Sequence, residues 1–261
     1  MIRLIAGVGA EFGTGHLKRM EKLAEYLTRR NHSTVIVAMD SSTPLSRLEA
    51  DDASKCRLTV FDARDVDPQI ATGRVIALDN RHPNRRTMDS RVVFHDTIPH
   101  PDVSMTVAMQ NCLVDPEFCD QASNGRRALI YAGSWHGDPP GLDILASLGY
   151  ELVQVGGQKN PRVTWHERLS PVDFRQEMCR SSLVFTYFGM TALQAMYLKK
   201  QVILFSIGDV HDRLSLNLAQ IGVPFIRSAP VAADFTSTAM PAMIPGGRGF
   251  DFLLSLIEEQ I

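Results

Sequence analysis

Gly13, Thr14, Gly15 and His16 stand between an apolar run, Leu4–Val8, and a stretch in which Leu17, Met20, Leu23, Ala24 and Leu27 recur at helical spacing. Glycines between a strand and a helix let the backbone approach a ligand. The N–H groups and dipole of the helix start favour negative charge there. A histidine at that point is placed to act on whatever the anion is attached to. The positive helix end favours an uncharged imidazole, able to accept a proton. The turn is not a P-loop, because no Gly-Lys-Ser/Thr follows the glycines. It is not a dinucleotide fingerprint either, since Gly7-x-Gly9 has Phe12 where the third glycine belongs. The competing reading is a helix-capping turn with an exposed histidine.

Similar turns recur later in the chain. In "TYFGMTALQAMYLKK" (186–200) a strand ends at Phe188-Gly189 and a helix starts near Thr191, which suits a diphosphate or is an ordinary Thr-capped turn. Asp209, His211, Asp212 and Arg213 open another helix after another strand. In "YAGSWHGDPPG" (131–141), Gly133 and Ser134 suit a phosphate or a sugar. That stretch lacks the GxSxG of a nucleophile elbow. His82, His95, His100 and Asp96 lie near strand ends, but their spacing matches no metal-ligand set, and no metal or cofactor is expected. The arginine-rich "NRHPNRR" (80–86) reads as a solvated loop or as a contact to a phosphate or acidic group.

Alternating strands and helices must position these turns. Strands are expected at 3–8, 33–39, 58–61, 75–79 and 91–96, and again at 128–133, 151–157, 162–167, 183–189, 201–206 and 223–226. Helices fit at 171–181, 191–199, 211–221 and 249–260. This is an α/β pattern of two Rossmann-like doubly wound halves, with parallel sheets covered on both faces and a ligand in the cleft between them. The polar stretch 120–127 is taken as the boundary, giving domains 1–122 and 123–247 and a closing helix 248–261. At 261 residues, 44% hydrophobic and 21% charged, the chain is long enough for two cores. A net charge of −2 argues against nucleic acid as a partner. The cysteines Cys56, Cys112, Cys119 and Cys179 have no CxxC spacing and read as reduced cytosolic thiols. No apolar stretch approaches the ~18 residues of a membrane span, and no signal peptide is seen, so a cytoplasmic protein is expected.

Together these residues resemble the UDP-sugar hydrolases of pseudaminic acid biosynthesis, with their relatives among the spore-coat polysaccharide proteins and MurG-like GT-B glycosyltransferases. The resemblance runs through "FGTGHLKRMEKLA", "VIALDN", "VVFHDTIPHPDV", "VAMQNCLVDPEF" and the stretch from Glu167 to Ser206. It implies a GT-B fold and a UDP-sugar substrate. By position, Gly189, Met190 and Thr191 would offer N–H groups to the diphosphate, with Gly133 and Ser134 approaching beside them. Leu169 would read the uracil edge and Gln194 would stand where the family carries a ribose-contacting glutamate. Gly13, Thr14, Gly15, Arg19, Asn111 and His211 would complete the binding set. His16 would act as general base, with Asp79 or Asp96 orienting the water, the imidazole or the sugar. The implied reaction is hydrolysis at the anomeric carbon. Glycosyl transfer to an acceptor, or nucleotide-sugar binding without catalysis, are the alternatives.

Overall fold

The computed structural model describes residues 1–9, 15–40, 56–116, 125–236 and 240–261. Two compact units emerge. Unit 1 holds Met1–Ile98, Gln110–Leu113 and Arg248–Ile261, and unit 2 holds Pro99–Met109 and Val114–Gly247. The division thus differs from a single break after 122. The chain leaves unit 1 after Ile98, residues 110–113 belong to it again, and the terminal segment rejoins it. Residues 117–124, most of the expected boundary, lie outside the described set, as does Cys119.

Unit 1 is built on a parallel sheet of order β2-β1-β3-β4-β5, with β1 Ile2–Gly7, β2 Thr34–Met39, β3 Leu58–Asp62, β4 Arg74–Leu78 and β5 Val92–His95. Every residue of β1 and β3 is buried, as expected of central strands covered on both faces. Helix α1, Gly15–Arg29, buries Met20, Leu23 and Leu27, one stripe at helical spacing. Burial of each such side chain contributes ~1.5–3 kcal/mol. Helix α8, Gly249–Gln260, adds Phe250, whose ring lies 4.9 Å from that of Tyr26. Gly249 is needed there: a Cβ would sit 2.2 Å from the carbonyl oxygen of Cys112.

Unit 2 has the parallel order β11-β10-β9-β6-β7-β8, from β6 Arg127–Gly133, β7 Glu151–Gly156, β8 Thr164–His166, β9 Leu183–Thr186, β10 Gln201–Phe205 and β11 Phe225–Ile226. Its helices are α3 Leu142–Ser147, α4 Pro171–Arg180, α5 Met190–Tyr197, α6 Asp209–Ala219 and α7 Ala232–Thr236, while α2, Met105–Asn111, is divided between the units. One face packs Phe185, Phe205 and Phe235 into a core. Helix α4 starts where Ser170 accepts from the Asp173 N–H and Pro171 opens the first turn.

In each sheet the strand order reverses once, between β1 and β3 in unit 1 and between β6 and β9 in unit 2. Ligands of such sheets bind at the carboxyl ends of the strands beside that reversal. Among the described residues, no helix is long and apolar enough to cross a membrane.

Candidate active-site edges

In unit 1, His16 is the second residue of α1, and its Nδ1 lies 2.6 Å from Oδ1 of Asp62, the last residue of β3. The pair spans the β1/β3 reversal. A carboxylate only accepts, so Nδ1 carries the hydrogen of this bond. Arg19, one turn along α1, grips the same carboxylate with both arms, Nη2 at 2.5 Å from Oδ1 and Nε at 3.1 Å from Oδ2. Its Nη1 reaches Asp79 Oδ2 at 2.7 Å and the Thr97 hydroxyl at 2.9 Å. Burial works against ionisation of Asp62, but the charges of Arg19 and His16 prevail and hold its carboxyl below the usual range. Burial likewise opposes the charge of Arg19, and Asp62 and Asp79 more than offset it, so the guanidinium is held protonated more firmly than usual.

Asp79 is committed elsewhere. Its Oδ1 accepts from the N–H groups of Thr97 at 2.6 Å and Ile98 at 3.0 Å, and its backbone sits at φ 47°. Asp96 takes Arg85 through both oxygens, at 2.9 and 2.7 Å, and Arg81 at 3.0 Å. Burial would raise the Asp96 pKa, yet these guanidinia hold it low. Neither aspartate reaches His16; Asp62, which the sequence does not single out, does. Arg19 is likewise no free substrate contact but a buried strut. Asn111 Nδ2 donates to the Asp96 carbonyl at 3.2 Å. A Cβ at Gly15 would meet no described residue within 4 Å. Gly13 and Thr14 lie outside the described residues. His82 and His100 accept from backbone N–H groups two residues on, at 3.3 and 3.2 Å, and are spent in local turns.

In unit 2, β6 ends in Gly133-Ser134 and β9 runs through Tyr187 to Gly189 and the start of α5, so both turns flank the β6/β9 reversal. Gly133 has an internal reason to be glycine: its φ is +53°, and a Cβ would lie 2.6 Å from the Tyr187 hydroxyl. Gly189 has none. Its backbone is extended, and a Cβ would only touch Tyr187 at 3.9 Å. Glycine there leaves the first N–H groups of α5, from Met190 and Thr191 onward, uncovered. Thr191 hydrogen-bonds Tyr131, whose pKa burial raises, while the charge of Arg168 pulls the other way. Arg168 therefore brings a cation near this edge, beside Leu169, which is half-buried ahead of α4. His211, in the first turn of α6, meets Tyr187 edge-on with centroids 5.2 Å apart. Gln194 spends its amide on the backbone. Its side chain accepts from the Asp115 N–H at 2.7 Å and donates to the Asp115 carbonyl at 3.1 Å, so it is a backbone clamp rather than a ribose contact.

Sequence reasoning overlooked Asp62, Arg168 and the tyrosine pair Tyr131–Tyr187. The one available signal for Asp62 was an acidic residue closing an apolar run, "LTVFD".

No protein-family model matches the chain, and no curated protein matches its sequence. Solved structures do resemble it. One is a putative UDP-N-acetylglucosamine 2-epimerase from Listeria monocytogenes, with TM-score 0.60 and 11% identity over 99% of this chain and 95% of that one. Another is the MnaA–UDP co-structure from S. aureus, with TM-score 0.59 and 12% identity over 99% and 96%. A third is the UDP-GlcNAc 2-epimerase from Neisseria meningitidis bound to UDP-GlcNAc, with TM-score 0.58 and 12% identity over 99% of both chains. At such identity the likeness concerns the fold, and it is the fold expected: an α/β chain of the GT-B-like kind, with two Rossmann-like parallel sheets.

Proposed function

We propose that this chain is an enzyme acting on a UDP-linked sugar, with His16 as the base and the nucleotide held by unit 2. The observation that carries the reading is the 2.6 Å His16–Asp62 pair at a helix start on a sheet's carboxyl edge. A buried carboxylate on Nδ1 orients the ring and stabilises the imidazolium that forms when Nε2 takes a proton. In unit 2, the N–H groups at Met190 and Thr191 and the cation of Arg168 suit a diphosphate. The substrate class is supported by fold neighbours whose structures hold UDP and UDP-GlcNAc.

In the proposed hydrolysis, water loses a proton to His16 Nε2 and its oxygen bonds to the anomeric carbon. The bond from that carbon to the diphosphate oxygen breaks, and its electron pair leaves with UDP. Asp62 is a positioning residue, acting only through His16. Base catalysis of this kind is typically worth ~10²–10⁴-fold.

A second reading, epimerisation at C2 of a UDP-N-acetyl sugar, is favoured by the names of these neighbours. Incubation with UDP-GlcNAc and no acceptor, followed by proton NMR, separates the two. Free UDP with a reducing sugar of inverted configuration supports hydrolysis, and a new UDP-sugar without UDP release supports epimerisation. His16→Ala should slow either reaction ~10²–10⁴-fold. For the nucleotide, UDP at 100 times its Kd should add about 2.7 kcal/mol of stability, with CDP, GDP and ADP adding less. Equal shifts from all four would overturn the uridine assignment.

A further inference from the structure

We propose that unit 2 carries a second, separate pocket that binds one neutral sugar ring. The pocket measures about 240 Å³ and is formed by the loop after β6, the end of β10 and the segment after β11. All three lie at the carboxyl edge of one sheet, where such folds bind ligands. Its lining includes none of Gly133, Ser134, Leu169, Gly189, Thr191 or His211. The inference therefore stands apart from the nucleotide reading.

Its chemistry selects the ligand. Trp135 supplies an indole, braced against Phe205 with ring centroids 5.5 Å apart. Asp138, Ser206, Arg227 and Ser228 supply the polar lining. Ser206 Oγ donates its hydrogen to Asp212 Oδ2 at 2.8 Å, so toward the pocket it can only accept. The Asp138 carboxylate also accepts only. Just behind, the second Asp212 oxygen is buried with no hydrogen-bond partner among the described residues. The charged donor is Arg227, whose Nε stands 4.0 Å from Asp212 Oδ2 and whose side chain is 63% exposed. The lining's one carboxylate, Asp138, is matched by one guanidinium, Arg227, so the pocket carries no net charge that would favour a phosphate or a carboxylic acid. A neutral pyranose fits it: its hydroxyls donate to Ser206 and Asp138 and accept from Arg227, while its C–H face covers the indole. Pockets for drug-sized ligands begin near ~300 Å³, so this one takes a single ring rather than a nucleotide-sugar.

Trp135 and Trp165 are the chain's only tryptophans, so Trp165→Phe leaves Trp135 as the sole indole reporter. This variant is titrated with free N-acetylglucosamine and with glucose, with and without saturating UDP. The expected result is a saturable change in Trp135 emission with at least one sugar, unaffected by UDP and lost in Arg227→Ala and Asp138→Asn, while UDP affinity stays unchanged in both. Saturation-transfer NMR of the same sugars on the unmodified chain is a second readout and should lose signal in the same two variants. The proposal is overturned by the absence of a saturable response in both readouts, or by a response that UDP abolishes. It is equally overturned by a response that survives both substitutions, or by saturable binding of inorganic phosphate that displaces the sugar.

Discussion

The carboxyl edges of the two sheets obey one topological rule and use opposite materials. In unit 1 the reversal between β1 and β3 is filled with charge: Asp62 and Asp79 are buried on either side of Arg19, and His16 hangs from Asp62. In unit 2 the reversal between β6 and β9 is lined by glycines, a threonine and two tyrosine rings stacked 6.2 Å apart. A parallel sheet supplies the place; the residues closing its strands decide what the place can do. Buried carboxylates suit a histidine that must become charged. Uncovered N–H groups beside small residues suit an anion that arrives already charged.

The sharpest way to break this contrast is to remove the charge that holds unit 1 together. Arg19→Met keeps the length of the side chain and leaves Asp62 and Asp79 buried without their shared cation. Uncompensated buried charge costs ~3–5 kcal/mol, and the loss should appear as a lower denaturation midpoint in urea. Arg19→Lys keeps the charge but not the fork that reaches Asp62 through two nitrogens and Asp79 through a third, so it should recover only part of the loss. A loss below ~1 kcal/mol in Arg19→Met would mean that the two carboxylates find other partners.

The corresponding weak point of unit 2 is steric rather than electrostatic. Gly156 pairs with Gly133 across β6 and β7, at φ +75°, and a Cβ there would lie 2.1 Å from the Gly133 carbonyl oxygen. Gly156→Ala should cost at least ~1–3 kcal/mol for the backbone alone, with the overlap adding to it. Gly189→Ala is the control. Its extended backbone and 3.9 Å clearance allow a methyl group, so stability should hold while any nucleotide-induced thermal shift shrinks. Loss of stability at Gly189 and none at Gly156 would invert the picture of which glycine serves the fold and which the ligand.

Periodicity made the fold legible. Each expected strand overlaps an observed one, because buried parallel strands are short apolar runs between turn residues. The helix expected at 249–260 coincides with Gly249–Gln260. What periodicity cannot supply is which strands are neighbours. Asp62 meets His16 across 46 positions only because β3 lies beside β1. With strand order unknown, Asp79 and Asp96 were equally good candidates, and their arginine partners were invisible for the same reason. Gln194 misleads differently. Its position on α5 resembles a ribose contact, but the Asp115 backbone it clamps is 79 residues away. Gln194→Glu tests this. The clamp needs a donor toward the Asp115 carbonyl, and a carboxylate oxygen there leaves that carbonyl unpaired, costing ~1–3 kcal/mol. A neutral or stabilising Gln194→Glu, with tighter UDP binding, would restore the ribose role.

Acid distinguishes the two units by the smallest expected effect. Asp62 and Asp96, both in unit 1, have their folded-state pKa held below the ordinary carboxylate value of ~3.9. In that window the unfolded chain binds protons that the folded unit does not. The stabilisation is therefore fully present above ~4 and is lost as pH falls through the lower, folded-state values. Each group contributes at most ~1.4 kcal/mol per pH unit. Both tryptophans lie in unit 2, whereas far-ultraviolet circular dichroism reads helices and strands of both units. On acidification, part of the dichroism should therefore disappear before Trp emission changes. Asp96→Asn lowers the starting stability but removes one acid-labile contact, so unit 1 should lose its remaining stability over a shallower range of pH. Coincident transitions by both probes, in both proteins, would show the units unfolding as one and remove the distinction between a charge-built and a glycine-built edge.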